Sequence, residues 1–241
     1  MNPYYESKDG RAVIHHGDCL DVMRSMPDGC VDAVVTDPPY IVGAISVGTE
    51  NAKSGTWADM ENAAYWFAEV YRECFRILKP TGSLWTCLNW RSLPTVIRAA
   101  SLIRRPVTSL VVWDKDWIGP AGPAALRPCY EMMALIAGET FTLPNRSERD
   151  IWRHPWSAHK PSGHAAEKPI DLMRHAIRAS GVVADAVIFD PFLGSGTTLV
   201  AALQEGCRAI GIEREAQYVE IAKARVAHEA AQGNLFNGAS S

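Results

Sequence analysis

Ala186-Val187-Ile188-Phe189-Asp190-Pro191-Phe192-Leu193-Gly194-Ser195-Gly196-Thr197-Thr198 is the stretch on which the fold turns. Its first four residues are a short apolar run closed by Asp-Pro, the signature of a buried strand. A tight glycine turn follows, and Thr197-Thr198 opens a helix through Leu203. Arg208-Ala209-Ile210-Gly211-Ile212-Glu213 is the next strand, and it ends on an acid 19 residues after Gly194 (213 − 194). Strand, Gly-x-Gly and helix let a ligand approach backbone amides at a helix N-terminus. Glu213 stands where a ribose diol would need an acceptor. The series implies a nucleoside cofactor. A Walker phosphate loop is excluded, because no Gly-Lys-Ser/Thr follows. A nicotinamide cofactor is disfavoured, because Thr198-Leu199 replaces the third glycine.

Upstream, Val31-Asp32-Ala33-Val34-Val35 is a second buried strand, closed by Thr36-Asp37-Pro38-Pro39-Tyr40. Two prolines keep the chain out of a helix and present a carboxylate and an aromatic ring on a stiff loop at a strand's carboxyl end. Ligands bind there in open α/β sheets. A strand over 12–16 leads through Gly17-Asp18 into a short helix that Asp18 would cap; a second role for Asp18 is to accept from a purine amine. The segment Ile41 to Asp59 is rich in Gly, Ser and Thr and is expected to be a loop, placed to act as a lid.

A helix is expected over 63–78, stopped by Lys79-Pro80-Thr81-Gly82, with a strand over 83–88, a helix over 94–103 and a strand over 107–113. The Trp66, Phe67, Tyr71 and Phe75 stripe is expected in the core. Residues 114–163 interrupt the alternation with a strand over 130–137 and a polar, loop-like run from Gly138. A helix over 170–179 and one over 218–228 complete the pattern, and a disordered tail is expected from Gly233. Repeated βα units imply a mainly parallel sheet covered on both faces.

The 241 residues are 47% hydrophobic and 21% charged, which suits one α/β domain with an insertion. No run of 18 apolar residues and no signal-peptide core is present, so a cytoplasmic protein without membrane contact is expected. The six scattered cysteines imply reduced thiols and no zinc site. The net charge of −3 hides an asymmetry: Arg91–Arg178 holds 13 Lys+Arg against 8 Asp+Glu, whereas the remainder holds 11 against 19. The basic middle suits a phosphate-bearing partner.

Asp37-Pro38-Pro39-Tyr40 and Asp190-Pro191-Phe192-Leu193-Gly194-Ser195-Gly196-Thr197-Thr198 together resemble the catalytic and cofactor motifs of S-adenosylmethionine-dependent DNA amino-methyltransferases. The order, catalytic turn first, resembles the β class of N6-adenine and N4-cytosine enzymes. Gly17-Asp18-Cys19-Leu20, Arg76 to Ser83, Val111 to Lys115, Tyr130-Glu131, and Gly211 to Glu213 with Tyr218 to Ala222 extend the likeness over nearly the whole chain. His164-Ala165-Ala166-Glu167-Lys168-Pro169 departs from the family's His-Pro-Thr-Gln-Lys-Pro. The resemblance implies a Rossmann-like methyltransferase α/β fold. Residues 1–113 would be its catalytic half, 114–163 a target-recognition insertion, 164–232 its cofactor-binding half and 233–241 a tail.

The resemblance also implies catalysis by Asp37, Pro38, Pro39 and Tyr40. Asp37 and the Pro38 carbonyl would accept the target amine's N–H bonds, and Tyr40 would stack on a flipped base. S-adenosylmethionine would be held by Asp18, Asp37, Lys168, Asp190, Phe192, Gly194, Ser195, Gly196, Thr197, Thr198 and Glu213, without a metal. An Asp in the first catalytic position favours N6 of adenine, with N4 of cytosine as the alternative; a catalytically silent DNA-binding module is a further reading, against which the intact motifs speak. Arg127, Arg146, Arg149, Arg153 and Lys160 would meet double-stranded DNA, and the short insertion implies a homodimer.

Overall fold

The computed structural model describes residues 2–40, 60–156 and 167–237. In chain order the elements are β1 (Tyr5–Glu6), β2 (Ala12–His16), α1 (Cys19–Arg24), β3 (Val31–Thr36), α2 (Met60–Ile77), β4 (Leu78–Leu88), α3 (Leu93–Leu102), β5 (Ser109–Asp114), β6 (Tyr130–Ala137), β7 (Ile151–Arg153), α4 (Ile170–Ala179), β8 (Val187–Asp190), α5 (Thr197–Gln204), β9 (Arg208–Glu213) and α6 (Ala216–Asn237). Among the described residues the strands form one sheet in the order β1-β2-β9-β8-β3-β4-β6-β5-β7. From β2 across to β4 every pairing is parallel. β6 runs antiparallel to β4 and β5, β1 antiparallel to β2, and β7 parallel to β5. The Rossmann-like methyltransferase fold with a mainly parallel sheet is therefore the observed one.

Strand side chains alternate between two cores, as a period of two requires. Trp85 and Cys87 of β4 and Met133 and Leu135 of β6 face α4, α5 and α6, which contribute Leu172, Ile177, Leu199, Val219 and Ala222. Leu84 and Leu88, with Met132, Ala134 and Ile136, face α1, α2 and α3 through Val22, Phe67, Tyr71, Cys74 and Val96. Phe67 and Tyr71 are core residues as expected. Trp66 and Phe75 are partly buried at its margin. No helix among the described residues is long and apolar enough to cross a membrane.

Several boundaries differ from expectation. Lys79 to Gly82 do not separate α2 from the next strand, because β4 begins at Leu78 and pairs there with Val31. The register resumes at Ser83 opposite Ala33, so Lys79–Gly82 bulge opposite Asp32, to which Lys79 Nζ donates at 2.6 Å. Between residues 114 and 156 the expected strand, β6, lies inside the sheet, and the polar run after Gly138, expected to be loop-like, contains β7. Trp152 of β7 is buried and stacks on Trp85 (centroids 5.7 Å apart, planes at 25°). Three residues are too few for a periodicity to register. Helix α6 continues past Gly233 to Asn237, since a single glycine costs a helix only about 1 kcal/mol and the turns before it are rich in Ala, Glu and Gln. The expected lid, Ile41 to Asp59, lies outside the described residues, as do residues 157–166 and 238–241.

Parallel strands place their carboxyl ends on one edge. α1, α2 and α3 cover one face, while α4, α5 and α6 cover the other. The neighbours β3 and β8 are thus where the connections part to opposite faces, and such a switch point opens a crevice. Val34 lies opposite Phe189, so Asp37 and Phe192 both stand three residues further on (37 − 34 and 192 − 189). The two special turns share one crevice.

Candidate active site

The glycine turn is built from backbone constraints. Gly196 caps α5 with φ +90°, and a Cβ there would come 3.0 Å from the Ala222 Cα, so α6 packs directly on the turn. Gly194 has φ +55°, but a Cβ on it would meet nothing within 4 Å. No described residue closes in on it from that side. The Gly194 amide donates to Glu213 Oε2 at 2.8 Å and the Glu215 amide to Oε1 at 2.7 Å, which fixes the carboxylate and leaves it acceptor capacity. Asp18 caps α1 by accepting from Leu20 N (2.9 Å) and Asp21 N (3.4 Å). The Gly17 amide donates to the Glu213 carbonyl at 3.0 Å, so Asp18 and Glu213 are neighbours at the crevice. The partly exposed Phe192 ring packs on Trp66 at 5.6 Å.

Beneath the turn lies Arg225 of α6. Its Nη1 donates to the Ser195 carbonyl and Oγ (both 2.9 Å) and to Thr197 Oγ1 (3.2 Å), and its Nη2 to Glu167 Oε1 (2.9 Å). Ser195, Thr197 and Thr198 are buried, the first two turned inward to this guanidinium. Asp190 is 1% exposed: Oδ1 accepts from Thr36 Oγ1 at 2.6 Å and from the Phe192 amide at 3.0 Å, with Thr198 as a further donor. Burial pushes its carboxyl up to about 6. Asp190 thereby braces one turn against the other, enclosed by protein.

At the catalytic turn Asp37 Oδ2 accepts from Lys168 Nζ at 2.8 Å. Asp37 Oδ1 is buried and accepts no hydrogen bond from any described residue. Burial raises the Asp37 carboxyl above its ordinary range against the pull of Lys168. Lys168 Nζ lies 4.7 Å over the Tyr40 ring and 3.4 Å from Glu131 Oε2. Glu131 Oε2 also accepts from the Tyr40 hydroxyl at 2.9 Å, while Oε1 pairs with Lys115 Nζ. Burial works against the Lys168 charge, but Asp37 and Glu131 outweigh it and raise the ammonium above its usual value. Burial likewise opposes the Glu131 charge, yet Lys168 and Lys115 hold that carboxyl below its ordinary range.

The structure thus brings Asp37, Pro38, Pro39, Tyr40, Lys168, Asp190, Phe192, Gly194, Ser195, Gly196, Thr197, Thr198, Glu213 and Asp18 to one edge. The basic candidates divide. Arg127 and Arg153 flank strand ends on this edge: Arg127 binds the carbonyls of Ile118 and Gly119, and Arg153 pairs with Asp116. Arg146 and Arg149 fall between the end of β6 and the start of β7, on the opposite edge, where Gly138 and Thr140 bond to Gly82 and Pro80. Antiparallel β6 carries the chain away from the crevice. Lys160 lies outside the described residues. Glu131, Lys115 and Glu167 lie in stretches that carry the family likeness, and Thr36 adjoins one, but none has a role assigned by it, and Arg225 lies in no such stretch. Glu167 stands where the family has Gln, and its ion pair with Arg225 shows what the departure provides.

A DNA methylase family model covering N6 and N4 types matches residues 31–224. The chain belongs to the N6/N4 DNA methylases. Type II methyltransferase M2.MboI of Moraxella bovis is 28% identical over 255 residues, spanning 93% of this chain and 91% of the relative. YubD of Escherichia coli (strain K12) is 30% identical over 213 residues, 88% of each. Among solved structures, a DNA modification methylase of Thermus thermophilus complexed with S-adenosyl-L-methionine superposes with a TM-score of 0.68 at 26% identity, covering 90% of this chain and 93% of that one.

This methylase uses S-adenosylmethionine, which when bound supplies an electrophilic methyl group on a sulfonium centre. The residues present fit it: the open side of Gly194, the amide-fixed Glu213 carboxylate, Asp18 beside it and the partly exposed Phe192 ring would hold its nucleoside part.

Proposed function

We propose that this methylase transfers its methyl group to the exocyclic N6 of adenine in double-stranded DNA, with the target base flipped out of the helix. The observation that carries this reading is Asp37 Oδ1, a buried acceptor that no described residue fills, in the crevice shared with the glycine turn. An exocyclic amine is a poor nucleophile because its lone pair is delocalised into the ring. Accepting its N–H bonds at Asp37 and at the Pro38 carbonyl favours a pyramidal nitrogen and holds it in line. Lys168 stands over one face of the Tyr40 ring; stacking of the ring on the flipped base would offset an unstacking cost of a few kcal/mol. The choice of adenine rests on Asp, rather than Ser, in the first catalytic position.

The surface on this edge suits a duplex. Trp90, 56% exposed just beyond β4, lies under the Arg91 guanidinium at 4.5 Å, and Arg127 and Arg153 stand at neighbouring strand ends. Cation and aromatic groups side by side are what phosphates and unstacked bases engage. A homodimer, cytoplasmic and supplying further DNA contacts, completes the reading; a monomeric mass in light scattering with and without DNA would exclude the dimer.

Expression in a methylation-free host, followed by nucleoside mass spectrometry and long-read mapping of modified bases, tests the reading. N6-methyladenine at one recurrent sequence is expected. N4-methylcytosine would overturn the choice of base, and unmodified DNA the reading as a whole.

A further inference from the structure

Glu131 takes no part in the reaction as described, yet three groups of the site end on it. It lies at the start of β6, across the sheet from β3, with its side chain 18% exposed. Oε2 receives the Tyr40 hydroxyl at 2.9 Å and stands 3.4 Å from Lys168 Nζ, while Oε1 is gripped by Lys115. Lys168 then reaches Asp37 Oδ2 at 2.8 Å. Lys115, Glu131, Lys168 and Asp37 form a row of alternating charges in which each inner member touches two opposite ones. Such a row lets four charges stay ionised where any one alone would be expelled or neutralised.

The row also solves a problem of occupancy. An ammonium beside a carboxylate in a dry site is drawn to both of its oxygens, and a Lys168 straddling Asp37 would fill the acceptor that the target amine needs. Instead Lys168 sits on Oδ2, with Glu131 on its other flank, and Oδ1 has no donor among the described residues. We propose that Glu131 is the positioning residue of the methyl-transfer site: it anchors the Tyr40 hydroxyl and shares the Lys168 ammonium with Asp37, so that Asp37 Oδ1 stays open to the amine. Lys115 orients Glu131 in turn. This rests on Asp37 being the amine acceptor.

A consequence separates positioning from mere structural support. The groups facing Asp37 are Lys168 from the segment before α4, Glu131 from β6, Asp190 from β8, Cys87 from β4 and Tyr40 of its own turn. Burial raises the Asp37 carboxyl, Lys168 lowers it and Glu131 raises it. Removing the charge of Glu131 therefore moves the ionisation of Asp37 to lower pH, although the maximal rate falls.

Single-turnover methyl transfer to duplex DNA, measured across pH with the full-length protein, together with S-adenosylmethionine binding, tests this. Glu131→Gln is expected to lose roughly 10–100-fold in rate through misplaced groups, to keep the affinity for S-adenosylmethionine, and to show its acid limb at lower pH. Glu131→Asp, charged but too short to reach both partners, is expected to lose rate with the acid limb unmoved. Combining Tyr40→Phe with Glu131→Gln is expected to cost less than the two single losses together. A Glu131→Gln protein with the wild-type rate and profile overturns the proposal, and so does a rate loss accompanied by lost cofactor binding or an unmoved acid limb. Full activity in Asp37→Asn would instead sink Asp37 as the acceptor, whatever Glu131 does.

Discussion

Asp37 and Asp190 end adjacent strands and are both pressed upward by burial, yet they serve different ends. Asp37 keeps one oxygen without a donor among the described residues, whereas Asp190 gives its acceptors to Thr36, Thr198 and the Phe192 amide. At about 6, the folded-state value of Asp190 lies above that of an unfolded aspartate. A raised folded value means that the native state binds the proton more tightly. Its contribution is complete below about pH 4, falls as pH rises through 6 and is constant above. A shift of this size corresponds to about 3 kcal/mol, as an order of magnitude. Asp190→Asn is thus expected to gain stability relative to the wild type as pH rises from about 4 to 6, checked as the difference between their urea unfolding free energies at each pH. A difference that stays flat across that window would show that the carboxyl titrates normally. Asp37 and Tyr40 were legible in the chain because two prolines mark their turn. Glu131 was legible only as part of a family likeness, because its bond to Tyr40 spans 91 positions and leaves no local trace.

At the level of elements, the glycine turn could be read from spacing, but its two glycines have separable jobs that only packing reveals. Both have positive φ, so alanine at either position carries a backbone strain of about 1–2 kcal/mol. At Gly196 the added methyl also meets the α6 backbone at Ala222, whereas at Gly194 it points into open space. Gly194→Ala is expected to lower the melting temperature modestly while sharply weakening S-adenosylmethionine binding in titration calorimetry. Gly196→Ala is expected to lose markedly more stability. Equal stability losses would mean that α6 yields to the methyl. Arg225 is the hidden support of this turn: an interior cation on an Ala- and Val-faced helix, paired with the 5%-exposed Glu167. Replacing it with methionine breaks this ion pair and removes the donors to Ser195 and Thr197, and is expected to cost roughly 3–5 kcal/mol in chemical denaturation. Adding Glu167→Gln should recover part of that loss. The departure from the family pattern around Glu167 was visible in the chain, but its partner on α6 was not.

For the whole molecule, alternating apolar runs and turns sufficed to anticipate the sheet's parallel half, because each βα unit announces itself within some thirty residues. The reversed β6 and the three-residue β7 did not, since their places follow from pairing with strands elsewhere in the chain. That gap had a consequence for the substrate. Read along the chain, Arg127, Arg146, Arg149 and Arg153 are one basic segment; in the fold, β6 and β7 send Arg146 and Arg149 to the edge remote from Asp37. A duplex whose flipped base reaches Asp37 would lie along the near edge, against Trp90, Arg91, Arg127 and Arg153. Each cation that neutralises a phosphate steepens the fall of log affinity with log salt by about 0.9. Arg91→Ala and Arg153→Ala are therefore expected to weaken duplex binding and flatten that slope, each by up to one such increment. Arg146→Ala and Arg149→Ala should leave both unchanged, as measured by fluorescence anisotropy over a salt series. Arg153 also pairs with Asp116, so its slope change should be the smaller of the two, because part of its charge is already neutralised within the protein. The reverse pattern, with the remote arginines setting the slope, would place DNA on the far edge and separate it from the methyl-transfer site altogether.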